Sequence, residues 1–157
     1  LVNFREKPHR LPPDFYRGIK AVSYTKCLKN REYFFTNKTV FFQFESFLLY
    51  ELKRFQCDAL VYLFMPDHAH FLLIGKNENS DSLTAMYRFS KKSGFWLSQN
   101  YPRIKWQKDF FDHILRKDED IKKHVRYILE NPVRKGLVEN WKDYPYKGST
   151  IYRFDEW

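Results

Sequence analysis

The sequence predicts an α+β domain: one antiparallel sheet of the ferredoxin-like split βαβ type, followed by an additional helix. Two observations predict it. Hydrophobic periodicity gives the element order β-α-β-β-α-β-α, whose first six members match that arrangement. The length, 157 residues, suits one compact domain with a real core. The chain divides into a basic N-terminal arm (1–16), a core (17–140) and a tail (141–157).

The arm is polar and proline-rich, with Pro8, Pro12 and Pro13. Ile19 to Leu28 is rich in β-branched and aromatic residues and reads as the first strand. Phe44, Phe47, Leu48, Leu52 and Phe55 recur at steps of three and four, which predicts an amphipathic helix of about 12 residues. Cys57 to Met65 is almost continuously apolar, as a buried strand should be. It turns at Pro66-Asp67 into a second strand, His68 to Ile74. Ser82 to Gln99 forms the next helix, weakened by Gly94. Lys105 to Leu115 is expected to be a fourth strand. Asp118 or Asp120 can cap a last helix running to Glu130. The tail reads as irregular, with Trp141, Tyr144, Tyr146 and Trp157 available as anchors.

Two histidines then stand out. Side chains alternate along a strand, so His68 and His70 share a face about 6.6 Å apart, close enough to converge on one ion. Leu72 and Ile74 continue that face and need an apolar cover, which Ile121, Val125 and Ile128 of the last helix can supply. Phe71 and Leu73 would meet the two crossover helices instead. Taken alone, the pair describes two half-buried, backbone-bonded histidines more simply than a metal site.

The last helix changes the balance. His124, Tyr127 and Asn131 lie at steps of three and four, so they share one edge. Docking the apolar stripe on the histidine face brings that edge towards His68 and His70. A free phenol, with a pKa of about 10, is a weak nucleophile. It can attack a phosphodiester when a metal polarises the phosphate, leaving a phosphotyrosine ester. Eleven tyrosines are present, so an ordinary helix-edge residue is the plain alternative for Tyr127. For Asn131 the plain alternative is strong: it is well placed as an N-cap before Pro132, which also disfavours a helical conformation at Asn131.

Composition points the same way. Lys and Arg outnumber Asp and Glu by 28 to 19, a formal charge of +9, and 20% of residues are aromatic. Such a surface attracts polyanions, and exposed rings suit unpaired bases. Arg10, Arg17 and Lys20 are candidate nucleic-acid contacts. Cys27 and Cys57 sit in apolar segments without metal-type spacing and are expected to be free thiols. No apolar run approaches the ~20 residues of a membrane span, and LVNFREKPHRLPPDF has no signal-peptide core, so a cytoplasmic location and no membrane partner are expected.

Three stretches, MPDHAHFLL, WQKDFFDHILR and HVRYILENPVRKGLV, together resemble the HUH single-tyrosine single-strand DNA transposases, the IS200-like domain. The last stretch is most similar to the REP-associated tyrosine transposases. The resemblance runs from about Tyr16 to Tyr146. It implies a transposase that cleaves and rejoins single-stranded DNA at or near hairpins through a 5′-phosphotyrosine intermediate. Tyr127 would be the nucleophile, and His68, His70 and Asn131 would bind Mg²⁺ or Mn²⁺. Asn131 stands where related enzymes often have Gln. His113 matches a recurrent family histidine without a chemical role. The resemblance leaves monomer and homodimer open. The contrasting expectations are a domesticated protein that binds hairpin DNA without cutting it, and an RNA-binding structural domain that needs no metal.

Overall fold

The computed structural model describes residues 10–157, so most of the expected basic arm lies outside the described residues. Five strands, β1 (Ala21–Cys27), β2 (Cys57–Met65), β3 (His68–Gly75), β4 (Phe111–Ile114) and β5 (Lys147–Gly148), form one sheet in the order β4-β1-β3-β2-β5. The pairings are all antiparallel. As the element order predicts, β1 and β3 are inner neighbours.

Two helices cover one face: α1 (Lys38–Arg54) and α2 (Ser82–Asn100). Asn37 caps the first, its side-chain oxygen accepting from the Val40 amide at 2.9 Å. Asp81 caps the second in the same way, at 3.0 Å from the Thr84 amide. The first helix starts six residues before the expected Phe44, because Val40 and Phe41 extend its apolar stripe. Val22, Tyr24, Ala59, Phe64, Phe71 and Leu73 of the sheet meet Phe41, Phe44, Leu48, Met86 and Phe89 of the helices in the larger core.

The opposite face is closed by less. Here α3 (Ile121–Leu129) and α4 (Asn131–Arg134) pack Val125, Ile128 and Leu129 on Val61, Leu63, Met65 and Leu72. Ile74 and Ile121 flank this smaller core, so the expected division of β3 between two cores holds.

Three expectations are corrected. Only Phe111–Ile114 of the stretch from Lys105 forms a strand; Trp106 makes one isolated bridge to Leu28, and the segment around it curves over the end of β1. Ile19 lies outside β1 and is 67% exposed. The tail is no irregular trailer. Trp141 and Tyr144 are buried in the smaller core, the Tyr144 hydroxyl donates to the Phe64 carbonyl at 2.6 Å, and β5 extends the sheet. Gly148 allows this close approach, because a Cβ there would overlap the Tyr62 ring and hydroxyl. Aromatic anchors joined to a two-residue strand leave too short a pattern for periodicity to register.

Both cysteines are buried free thiols, as expected. No helix among the described residues is long and apolar enough to cross a membrane.

Candidate functional site

The site begins at the hairpin between β2 and β3. His68 and His70 project from the same face of β3, and their Nε2 atoms lie 3.0 Å apart. Each ring is oriented from its other nitrogen. His68 Nδ1–H donates to Asp67 Oδ1 at 2.6 Å, and His70 Nδ1 pairs with Thr25 Oγ1 at 3.1 Å across the β1–β3 ladder. Asp67 is itself held by Arg31, Nε to Oδ2 2.9 Å.

Asp67, an acceptor only, assigns Nδ1 as the protonated nitrogen of His68, whereas the Thr25 hydroxyl can accept from or donate to His70 Nδ1. The His68 Nε2 lone pair then faces His70 Nε2, where it can accept a hydrogen bond from that nitrogen or share a cation with it. Burial, joined by the charges of His68, Arg134 and Arg31, pushes His70 down to about 3. Burial also lowers His68, against the pull of Asp67. Burial would raise the Asp67 carboxyl, yet the His68 hydrogen bond and Arg31 hold it below its ordinary value. Neutral imidazoles braced by a carboxylate and a hydroxyl are the usual preparation for metal ligation. The donor set therefore fits a divalent cation. Among the described residues no group of three or more His, Cys, Asp and Glu side chains could hold a metal. Any ion on this pair would need an amide, water or substrate oxygen to complete its shell.

Tyr127 lies in α3 and is 58% exposed. Arg134 of α4 adjoins it. Its guanidinium lies 4.0 Å from the Tyr127 ring centroid and donates to the Tyr127 carbonyl at 2.6 Å. The same charge bears on His70, and that of Lys135 bears on His68. Cationic charge thus adjoins the phenol ring and bears on the imidazole pair, and would draw an anionic phosphate.

Asn131 opens α4 and is half-buried; Glu130 takes the N-cap position, and no side chain caps this helix. The capping role read for Asn131 is corrected on this point. Glu130 stays in the right-handed helical region (φ −79°, ψ −6°), so the chain runs from α3 into α4 with little break, and Pro132 sits harmlessly in the first turn. The Asn131 amide is thereby left for other work.

A second cluster braces the tyrosine helix. Glu119 accepts from His113 Nε2 at 3.1 Å, from His124 Nε2 at 2.8 Å and from the Arg116 amide at 2.9 Å. That backbone donor, with the two histidines, pulls its carboxyl down to about 2. This ties β4 to α3 and gives His113 a structural place. Asp118, Glu119, Asp120, Lys123, His124 and Tyr127 line an open cavity of about 500 Å³ beside it.

The candidate contacts of the arm divide. Arg10 is ion-paired with Asp112 and donates to the Phe110 carbonyl, with 17% of its side chain exposed. Arg17 is 57% exposed, 3.5 Å from Asp14 and 3.7 Å from Asp81. Lys20 donates to the Phe15 carbonyl at 2.8 Å. None of the three adjoins the histidine pair in any contact of the structure. Sequence reasoning missed Asp67, Thr25, Arg31, Arg134 and Glu119. Asp67 adjoins the histidine motif and was legible; the others meet the site only through pairing and helix docking.

The family described as Transposase IS200 like matches residues 21–131, a span that contains His68, His70 and Tyr127 and ends at Asn131. A Haemophilus influenzae protein assigned to the REP-associated tyrosine transposases is 28% identical over 115 residues, 66% of this chain and 65% of that protein. The REP-associated tyrosine transposase of Escherichia coli K12 is 34% identical over 101 residues, 64% of this chain and 57% of that protein. The chain therefore spans less than two thirds of either relative. In fold it is similar to a REP-associated tyrosine transposase solved bound to a REP hairpin, with a TM-score of 0.74 and 22% identity over 91% of this chain and 82% of that one. A transposase-assigned structure from Deinococcus radiodurans R1 gives a TM-score of 0.51 at 14% identity, over 81% of this chain and 95% of that one. With the family match covering well over half the chain and enclosing the site just described, the protein belongs to the IS200-like transposase family.

Proposed function

We propose that this transposase-family protein cleaves and rejoins single-stranded DNA at or near hairpins, with Tyr127 as nucleophile. The observation that carries this reading is the pair of neutral imidazoles with Nε2 atoms 3.0 Å apart, together with Arg134, whose charge bears on His70 and which lies over an exposed tyrosine.

The Tyr127 oxygen would attack the scissile phosphorus as its proton passes to water. A bond forms from the tyrosine oxygen to phosphorus, and the bond from phosphorus to the 3′ oxygen breaks, releasing a free 3′ hydroxyl. The 5′-phosphotyrosine ester keeps the bond energy, so attack by a second 3′ hydroxyl restores a phosphodiester and frees the tyrosine. Exposure of Tyr127 admits a strand, and Arg134 and Lys135 supply charge to the phosphate before and during attack. His68 and His70, with the Asn131 amide as third donor, would hold Mg²⁺ or Mn²⁺. Such an ion, when bound, supplies charge neutralisation at the phosphate. Asp67 keeps His68 in the ligating tautomer, and the Thr25 hydroxyl accepts from His70 Nδ1–H when that ring ligates.

A labelled library of single-stranded hairpins, incubated with Mg²⁺ or Mn²⁺ and run on a denaturing gel, tests the reading. A covalent protein–DNA band is expected that disappears with chelator and in Tyr127→Phe. Hairpins that shift on a native gel without ever forming that band would replace this reading with binding alone.

A further inference from the structure

On the face away from the histidines, beyond the end of β1, lies an open cavity of about 450 Å³, within the range of about 300–1,000 Å³ in which small ligands bind. Lys26, Lys91, Lys105 and Lys108 line it together with Tyr87 and Trp106, and among the described residues no acidic one joins the lining. Lys26 is unusual. It is 2% exposed, its Nζ donates to the Gln107 carbonyl at 3.3 Å, and the Trp106 and Phe110 rings lie 5.4 Å away. Among the described residues no carboxylate forms an ion pair with it. Burial lowers it to about 8, with Asp109 only partly opposing. A buried ammonium held by one carbonyl and two rings is costly unless an anion can reach it.

The cavity also has a wall of rings. Tyr87 is 47% exposed and packs on Phe110 at 5.2 Å. Arg10 lies over both rings, at 5.7 and 4.3 Å, which places that arm residue at the far side of this ring pair rather than at the tyrosine site. Position matters too. Lys26 and Ala69 are paired, one residue from the Cys27–His68 pair, so the cavity lies behind the same end of the sheet as the imidazoles.

We propose that this cavity is a second nucleic-acid subsite, holding a nucleotide of the DNA strand at a distance from the reacting phosphate. Its phosphate rests among the lysines and its base lies against Tyr87. The inference rests on the DNA-processing reading and adds to it a grip on the opposite face of the sheet. A strand held there passes around the rim at Leu28 and Trp106 towards the histidines, so that binding and cleavage draw on separate residues.

Photocrosslinking and anisotropy with an oligothymidylate of about 20 nucleotides, carrying 5-iodouracil for the crosslink, test it. Crosslinks are expected on the peptides holding Tyr87 or Trp106. Lys91→Glu/Lys105→Glu changes two exposed side chains and should leave the melting temperature unchanged. Affinity should fall at least tenfold, and the slope of log K against log salt should flatten by about 1.4, the value for two lost single-strand phosphate contacts. Tyr127→Phe should bind as tightly as the unmodified protein. Crosslinks confined to α3 and α4, with affinity and slope unchanged in the double variant, would overturn the subsite and leave the cleavage reading intact. Failure of the unmodified protein to bind the oligonucleotide would overturn both.

Discussion

The two faces of the sheet are built differently. Under α1 and α2 the core is large and aromatic: Phe44 alone makes edge-on contacts with Phe34, Phe35, Phe47, Phe64, Phe89, Trp96 and Trp106 at 5.0–6.3 Å. Under α3 the core is small and mostly aliphatic, and its helix has nine residues. The imidazoles stand on this same face at the start of β3, His68 buried and His70 half-buried. A sheet closed firmly on one side can leave polar groups poised on the other, because rigidity there does not depend on the weaker cover. Side chains on the aromatic face should therefore govern stability, and those on the α3 face chemistry.

Four experiments sharpen or break that contrast, beginning with the largest effect. Tyr127→Phe should remove covalent protein–DNA product altogether while leaving the melting temperature unchanged, since the residue is exposed; a surviving adduct would move the nucleophile elsewhere. Phe44→Ala should cost about 3–5 kcal/mol in chemical denaturation, the range for a buried ring. Each folded molecule should still form adduct, and loss of activity at unchanged stability would break the division of the faces. Asp67→Asn should cut metal affinity and adduct formation by about 10–100-fold, because the His68 ring would lose its orienting carboxylate. A normal rate in this variant would detach Asp67 from the site.

The smallest effect concerns pH. Glu119 has its folded pKa depressed from 4.5 to about 2. Its contribution is therefore fully present above 4.5 and is lost as pH falls towards 2. Thermal melts of Glu119→Gln should show a shallower loss of stability across that window than the unmodified protein. Identical slopes would mean that the brace between β4 and α3 does not hold the tyrosine helix.

Strand alternation and helical periodicity made much legible. Placing His68, His70, Leu72 and Ile74 on one face needed only the period of two, and matching them to Ile121, Val125 and Ile128 needed only the period of 3.6. What was missed involves contacts that periodicity cannot encode. Thr25 reaches His70 through the β1–β3 register and Glu119 gathers two histidines from separate elements, whereas Arg134 meets Tyr127 because α4 runs on from α3. The expected fourth strand was too long because the aromatic residues Trp106 and Phe110 stand there for a different reason: they roof Lys26 and the end of β1.

The sequence by itself determined the α+β class, the strand order around the inner β1–β3 pair, the assignment of each β3 side chain to one of two cores, and the resemblance that the family match bears out. These depend on local period and on short motifs, which the chain carries wherever it folds. Only the tertiary structure decided that the two Nε2 atoms meet at 3.0 Å, that Asn131 is not a cap, that Arg10 is ion-paired with Asp112, and that the tail completes the sheet. Those facts depend on where side chains distant in sequence come together. That is settled by packing and by the pairing of buried polar groups, neither of which leaves a periodic trace.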